Sequence, residues 1–170
     1  MTRNYILYSS IIGDLQIISD GKYLKEIRFA EEHIFCLDYV EREDDAIIAT
    51  KKWLDDYFHG LVPEFLPPMK PDGTPFQNDV WQELIKIPYA NLTTYGDIAK
   101  VIASKNNILS MSAQAIGGAV GKNPIPIIIP CHRVIGKNRT LTGYRGGIDK
   151  KELLLKCEGV DISHFKTPKK

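Results

Sequence analysis

Residues Pro130-Cys131-His132-Arg133-Val134 set a thiol beside an imidazole and a guanidinium, at the end of the apolar run Ile125-Pro126-Ile127-Ile128-Ile129. The thiolate is the nucleophilic form of cysteine; neighbouring cations favour it and apolar burial disfavours it. Cys131 therefore stands where a buried segment meets groups able to activate it. Two readings are open on the residues alone: an activated nucleophile, or a small hydrophobe in a core segment, as many free cysteines are.

The rest of the composition narrows the chemistry. Cys36, Cys131 and Cys157 are odd in number and lack CxxC spacing, so neither a disulfide framework nor a tetrahedral zinc site is expected. No glycine-rich nucleotide loop and no metal-ligand spacing occurs, so no cofactor and no metal is expected. The residues Met1-Thr2-Arg3-Asn4-Tyr5 carry no apolar signal core and no run reaches the length of a membrane span, which makes reduced thiols and a cytoplasmic address the expectation.

Net charge divides unevenly. Residues 1–70 hold 8 Lys+Arg against 13 Asp+Glu, net −5, and residues 71–170 hold 14 against 8, net +6. Lys122, Arg133, Lys137, Arg139, Arg145, Lys150 and Lys151 flank the Cys131 segment with little acid between them. Such a face suits a polyanion, and equally suits plain solvation. The tail Lys166–Lys170 is expected to fray.

The elements that must position these groups follow from period and punctuation. Pro63, Pro67, Pro68, Pro71, Gly73 and Pro75 exclude a regular element between Leu61 and Pro75 and mark a surface linker between domains 1–70 and 71–170. Upstream, Asn4–Ser10, Leu15–Asp20 and Leu24–Ala30 read as an antiparallel meander with turns at Ile12-Gly13-Asp14 and Asp20-Gly21-Lys22, closed by a helix from Glu43-Asp44-Asp45 to Gly60. Nothing in that half proposes chemistry; His33, His59 and Cys36 read as structural or surface residues. Downstream, Thr74-Pro75 starts a helix whose face is Phe76, Val80, Leu84 and Ile87. Thr94 caps a second helix to about Ser104, with Asp97 placed for a reciprocal capping box. Ser112 caps a third over Ala113–Val120, made of Ala, Gly, Ile, Gln and Val. The last two have the dimensions of a helix-turn-helix. Ala113, Ala115, Gly117, Gly118 and Ala119 permit close approach to another backbone, of protein or of nucleic acid.

Together these residues resemble a known family. Gly73-Thr74-Pro75-Phe76-Gln77 with Val80-Trp81, Ile87-Pro88-Tyr89, Thr94-Tyr95-Gly96-Asp97-Ile98-Ala99, Ala115-Ile116-Gly117-Gly118-Ala119, Asn123-Pro124, Ile129-Pro130-Cys131-His132-Arg133-Val134-Ile135, Gly143-Tyr144 with Gly146-Gly147, Lys151 with Leu154-Leu155, and Glu158-Gly159 follow one another as in the methylated-DNA–protein-cysteine methyltransferases. The likeness covers residues 73–159, about half the chain. It implies an α+β protein with a small ribonuclease-H-like N-terminal domain, antiparallel sheet plus helix, and a mostly helical C-terminal domain with a helix-turn-helix. The N-terminal half fits only as a small α+β domain.

What the resemblance implies functionally is direct reversal of DNA damage. Alkyl transfer from O6-alkylguanine, with O4-alkylthymine a second candidate, goes to Cys131 once per molecule, because a thioether offers no route back at neutral pH. His132 becomes the base, through a water, and Glu158 the carboxylate that orients it. Asn123 holds the active-site loop together. Tyr95 presses on the phosphate beside the target and donates to the departing base, and Tyr144 walls the pocket. The substrate edge is read near Cys131, Arg133 and Val134, and Lys151 supports the pocket. Thr94, Tyr95, Ala113, Gln114, Ala115, Gly117, Gly118 and Lys122 form the DNA face of a monomer that binds alkylated duplex in the minor groove and flips the base out. Two positions depart from the pattern: Gln114 stands where the family carries an inserted arginine, leaving Lys105 or Lys122 to compensate, and Ala90 stands where glycine is common. A cysteine hydrolase would need turnover and an oxyanion hole; a DNA-damage sensor would share the DNA face, but such relatives lack the cysteine.

Overall fold

Leu15, Ile17 and Ile18 are completely buried along strand β2 (Gly13–Ser19) because a strand lies against each edge and a helix covers the sheet. β2 pairs antiparallel with β1 (Arg3–Ser10), in the register Asn4 to Ser19, and with β3 (Leu24–Arg28). This is the meander expected from the period. A fourth strand, β4 (Tyr39–Glu41), adds parallel to the far edge of β1, giving the order β3-β2-β1-β4. Helix α1 (Asp45–Phe58) buries Ala46, Ile47, Thr50, Trp53, Leu54 and Tyr57. Its start is fixed by Asp44, whose carboxylate accepts from the Ile47 amide at 3.0 Å, and it ends at Gly60, whose φ of 77° reverses the chain.

In this computed structural model, which describes residues 1–167, the chain forms two compact units, Met1–Asp72 and Gly73–Lys170. The proline-rich segment is irregular, as its composition requires, yet it is laid against β3 rather than running free. The Leu24 amide donates to Pro68 O at 2.7 Å and the Lys70 amide to Leu24 O at 3.0 Å.

The second unit is mainly helical. α2 (Pro75–Ile85) opens with a complete capping box: Thr74 Oγ1 accepts from the Gln77 amide and the Gln77 side chain accepts from the Thr74 amide. α3 (Tyr95–Lys105) opens with only half of one. Thr94 accepts from the Asp97 amide at 3.0 Å, while Asp97 faces Lys100 at 4.0 Å. α4 (Ala113–Gly121) is capped by Ser112 and is tied to α2 by the Trp81 indole, which donates to Ala119 O at 2.9 Å. The connection between α3 and α4 spans residues 106–112, longer than a tight helix-turn-helix turn. α5 (Ile148–Cys157) closes the unit, packing Leu155 with Ile135 and Leu141.

Two very short strands do most of the positioning. β5 (Thr93–Thr94) pairs parallel with β6 (Val134–Ile135), so the start of α3 lies beside the segment carrying Cys131. The tail is not loose where described: the Lys166 amide donates to Arg139 O and Lys166 O accepts from Leu141; residues 168–170 lie outside the described residues. Among the described residues no helix is long and apolar enough to cross a membrane.

Candidate active site

Cys131 opens a 3-10 turn, Cys131–Arg133, between the buried run Ile125–Ile129 and β6. The turn is imposed from upstream. Asn123 Nδ2 donates to Ile129 O at 2.8 Å and Asn123 Oδ1 accepts from the Ile125 amide at 3.0 Å, so one side chain clips both ends of the apolar loop. Ile127 within it takes a φ of 75°, a conformation that a β-branched residue avoids unless its surroundings hold it there.

Below the thiol lies a buried ionic cluster. His132 Nε2 is 2.6 Å from Glu158 Oε1, and both side chains are fully inaccessible. Glu158 also accepts from Arg133 Nε at 3.0 and 3.1 Å, from Arg133 Nη2 at 2.9 Å and from the Ala90 amide at 2.9 Å. Arg133 Nη1 donates to Ile87 O at 2.7 Å and its guanidinium lies 5.7 Å from the centre of the Tyr89 ring. Burial pushes the Glu158 carboxyl up, but the bonds from His132 and Arg133 outweigh it and hold the group at about 2. The carboxylate is thus ionised across the physiological range.

His132 is held neutral. Burial drives its pKa below the ordinary value, Glu158 pulls it up, and the Arg133 and Lys151 charges push it down again. The Cys131 thiol is only 7% exposed, and burial raises its pKa, against the lowering influence of Asn123, Lys151 and Arg145. At rest the pair is a thiol beside a neutral imidazole, with a cationic surround ready to stabilise a thiolate. That combination can move one proton and attack one electrophilic atom.

α5 supplies both supports. Lys151 and Glu158 are seven residues apart, about two helical turns, and so share a face. Lys151 is fully buried, with Nζ donating to Val134 O at 2.6 Å and Thr142 O at 3.0 Å; burial pushes it down to about 8, against the pull of Cys131. Tyr95, the first residue of α3, donates to the same Thr142 O at 3.3 Å, and burial raises its phenol. Tyr144 is half-buried in the following loop, where Arg145 Nη1 donates to Asn123 O at 3.1 Å.

Three comparisons with known proteins bear on this geometry. Residues 75–160 match the model for the DNA-binding domain of 6-O-methylguanine DNA methyltransferases, and residues 4–70 match that for the ribonuclease-like domain. The chain is 43% identical over 159 residues to the methylated-DNA–protein-cysteine methyltransferase of Haemophilus influenzae, spanning 92% of this chain and 86% of that one. The chain belongs to this family. A second relative of the same name, from Methanosarcina acetivorans, is 42% identical over 91% of this chain and 97% of its own. Among solved structures, the O6-methylguanine methyltransferase of Mycobacterium tuberculosis superposes with a TM-score of 0.79 at 36% identity, covering 92% of this chain and 93% of that one. Its complex with DNA gives the same score and identity over 98% and 96%. The α+β expectation for the fold is met.

The candidate residues divide into two groups. Cys131, His132, Glu158 and Asn123 converge as described, and Tyr95 and Val134 join them through Thr142 and Lys151. Arg133 does not belong to a substrate-facing or basic surface: its side chain is buried and spent on Glu158 and Ile87, and Lys151 is likewise interior. Lys105, a candidate to replace the missing arginine, is paired with Glu83 at 3.2 Å. The small-residue helix uses Ile116, Ala119 and Val120 inward and leaves Ala113, Gln114, Ala115 and Gly118 exposed, with Lys122 at its end; Gly117 lies close to the Tyr95 ring. Sequence reasoning missed Arg133 as a clamp and Ala90 as a ligand of Glu158. The Ala90 departure held a signal, since its φ is 61°, where glycine is at ease.

Proposed function

We propose that this chain repairs alkylated DNA by moving the alkyl group from O6 of guanine to Cys131, once per molecule. The thiol proton passes to His132, at Nδ1 because Nε2 is taken up by Glu158, directly or through a bridging water. The sulfur attacks the saturated carbon, the carbon–oxygen bond breaks, and a carbon–sulfur bond forms. The guanine leaves with its oxygen negative and takes up a proton; Tyr95, whose raised pKa keeps its phenol protonated, is placed to donate it. The thioether is final.

The observation that carries this reading is the buried His132–Glu158 pair immediately after Cys131 in the same turn, with Asn123 fixing the loop that bears the thiol. A free thiol in a plain core needs no base, and a plain core gains nothing from a buried ionic cluster. Supporting the DNA side, a relative of 36% identity has been solved as a complex with DNA. α4, with its exposed Ala113, Gln114, Ala115 and Gly118, enters the minor groove. Thr94 and Tyr95 at the start of α3 meet the backbone, and Lys122 follows at the end of α4. Tyr144 walls the pocket and main-chain groups at Val134 read the base. The base leaves the stack to reach the buried sulfur. Gln114 fills the vacated place by hydrogen bonding, without charge.

Incubation with an oligonucleotide containing one O6-methylguanine, followed by intact-protein mass measurement, tests the reading. The expected result is a gain of one methyl group per chain and no further turnover. An unchanged mass with the thiol still free and the protein still folded overturns it.

A further inference from the structure

The helix α4 contains no charged residue, so a duplex laid along it would find no cation in the helix itself. Binding to duplex DNA rests largely on Lys and Arg at phosphates. Beyond Lys122, just past the end of α4, those charges must come from elsewhere in the second unit, and several there are committed: Arg133 and Lys151 are interior, and Lys105 and Lys86 share Glu83.

The segment after β6 is built as a presenting tip. Gly136 and Thr140 form an antiparallel bridge, with the Gly136 amide donating to Thr140 O at 2.8 Å and the Thr140 amide to Lys137 O at 3.3 Å. The two residues at the turn, Asn138 and Arg139, have φ of 57° and 55°. Two successive left-handed residues make the hairpin turn for which Asn-Gly is the preferred pair. Asn138 conforms. Arg139 occupies the glycine place, where a side chain costs strain. Strain of this kind persists where the side chain has a use. Lys137, Asn138 and Arg139 are all exposed, and Lys166, also exposed, is bonded through its amide to Arg139 O. No carboxylate pairs with Lys137 or Arg139 among the described residues.

The tip is also in the right place. Lys137 lines a groove of about 600 Å³ whose other walls are α3 with its capping Thr94, the connection Ile108–Met111 and Ala113 at the start of α4; the one acid in it, Asp97, faces Lys100. A strand crossing the start of α4 at Ala113 would therefore meet Lys137.

We infer that the Lys137–Arg139 hairpin tip is a phosphate clamp, which grips the DNA backbone beside α4 and supplies the charge that Gln114 and the rest of that helix lack. The inference rests on the repair reading for the identity of the partner. The tip thereby trades local strain for affinity, and the two consequences separate in one variant.

Arg139→Gly restores the turn's preferred residue while deleting the cation. Its thermal midpoint should equal or exceed that of the parent, whereas its affinity for an undamaged, fluorescently labelled duplex should fall about three- to ten-fold, with the slope of log K against log salt shallower by about 1. Lys137→Gln should give the same binding change with an unaltered midpoint, and the double variant a slope shallower by about 2. Anisotropy titrations across a salt series read these values. Parental affinity and slope in both single variants would overturn the clamp, as would a lowered midpoint in Arg139→Gly with binding intact. Because undamaged duplex is the probe, methyl transfer plays no part. A parent that binds with the expected slopes but gains no methyl leaves the clamp standing and removes the repair reading.

Discussion

Asp44 and Glu158 are both carboxylates at helix ends, both held below their ordinary pKa against burial that pushes them up, and they do opposite jobs. Asp44 caps the N-terminus of α1, where the helix dipole favours an anion. It accepts from Asn4 Nδ2 at 2.7 Å, from Ser19 Oγ and from the Ile47 amide, joining two strands of the sheet to the helix. None of those donors titrates near neutrality. Glu158 caps the C-terminus of α5, where the dipole opposes an anion, and Arg133 must neutralise it. With Arg133 covering its charge, Glu158 can orient His132 without forcing a proton onto it. The difference teaches where chemistry lives: a charge placed where the backbone welcomes it is structural, and one placed against the backbone's preference, with a titrating partner, is functional.

The sharpest break of this comparison is to neutralise each carboxylate. Glu158→Gln leaves Arg133 buried without its counter-charge, which should cost about 3–5 kcal/mol and abolish methyl transfer. Asp44→Asn keeps a capping side chain and should cost about 1 kcal/mol, with the transfer rate unchanged in single-turnover assays. Equal effects on transfer would end the distinction.

Acid unfolding comes next in size. Glu158 has a folded value of about 2 against an ordinary 4.5, so its contribution, about 3 kcal/mol by linkage, is complete above pH 4.5 and is lost as pH falls through 2. His132 acts in the same direction. Its folded value is depressed, so the unfolded chain takes up a proton first and stability declines as pH falls below 6.5. Urea midpoints between about pH 6 and about pH 3 should therefore fall more steeply for the parent than for Glu158→Gln. Parallel curves would contradict the geometry of the clamp.

Ala90→Gly has the smallest effect. It relaxes a φ of 61° while retaining the amide that donates to Glu158, and should stabilise by about 0.5–1 kcal/mol without altering transfer. A loss of stability in denaturant melts would show that Ala90 is not strained.

Much of this was legible in the residues. The meander, α1 and the caps at Thr74 and Ser112 follow from period and punctuation, and Cys131 and His132 stand out by adjacency, whereas Glu158 enters only through the family resemblance. Other features escaped for physical reasons. β4, β5 and β6 are two or three residues long, too short to show a period. The box expected at Thr94 closes only halfway because aspartate is one methylene shorter than the glutamate of that motif, whereas Gln77 reaches back to Thr74. Arg133 reads as a surface cation from its neighbours, and only Glu158, 25 residues along the chain, draws it inside.

On the repair reading, the buried cluster activates one sulfur among three. Peptide mapping by mass spectrometry after exposure to an O6-methylguanine duplex tests it most directly, with Cys131→Ser run in parallel. Methyl is expected on Cys131 alone in the parent and nowhere in the variant. Methyl on Cys36 or Cys157, in either protein, would contradict it.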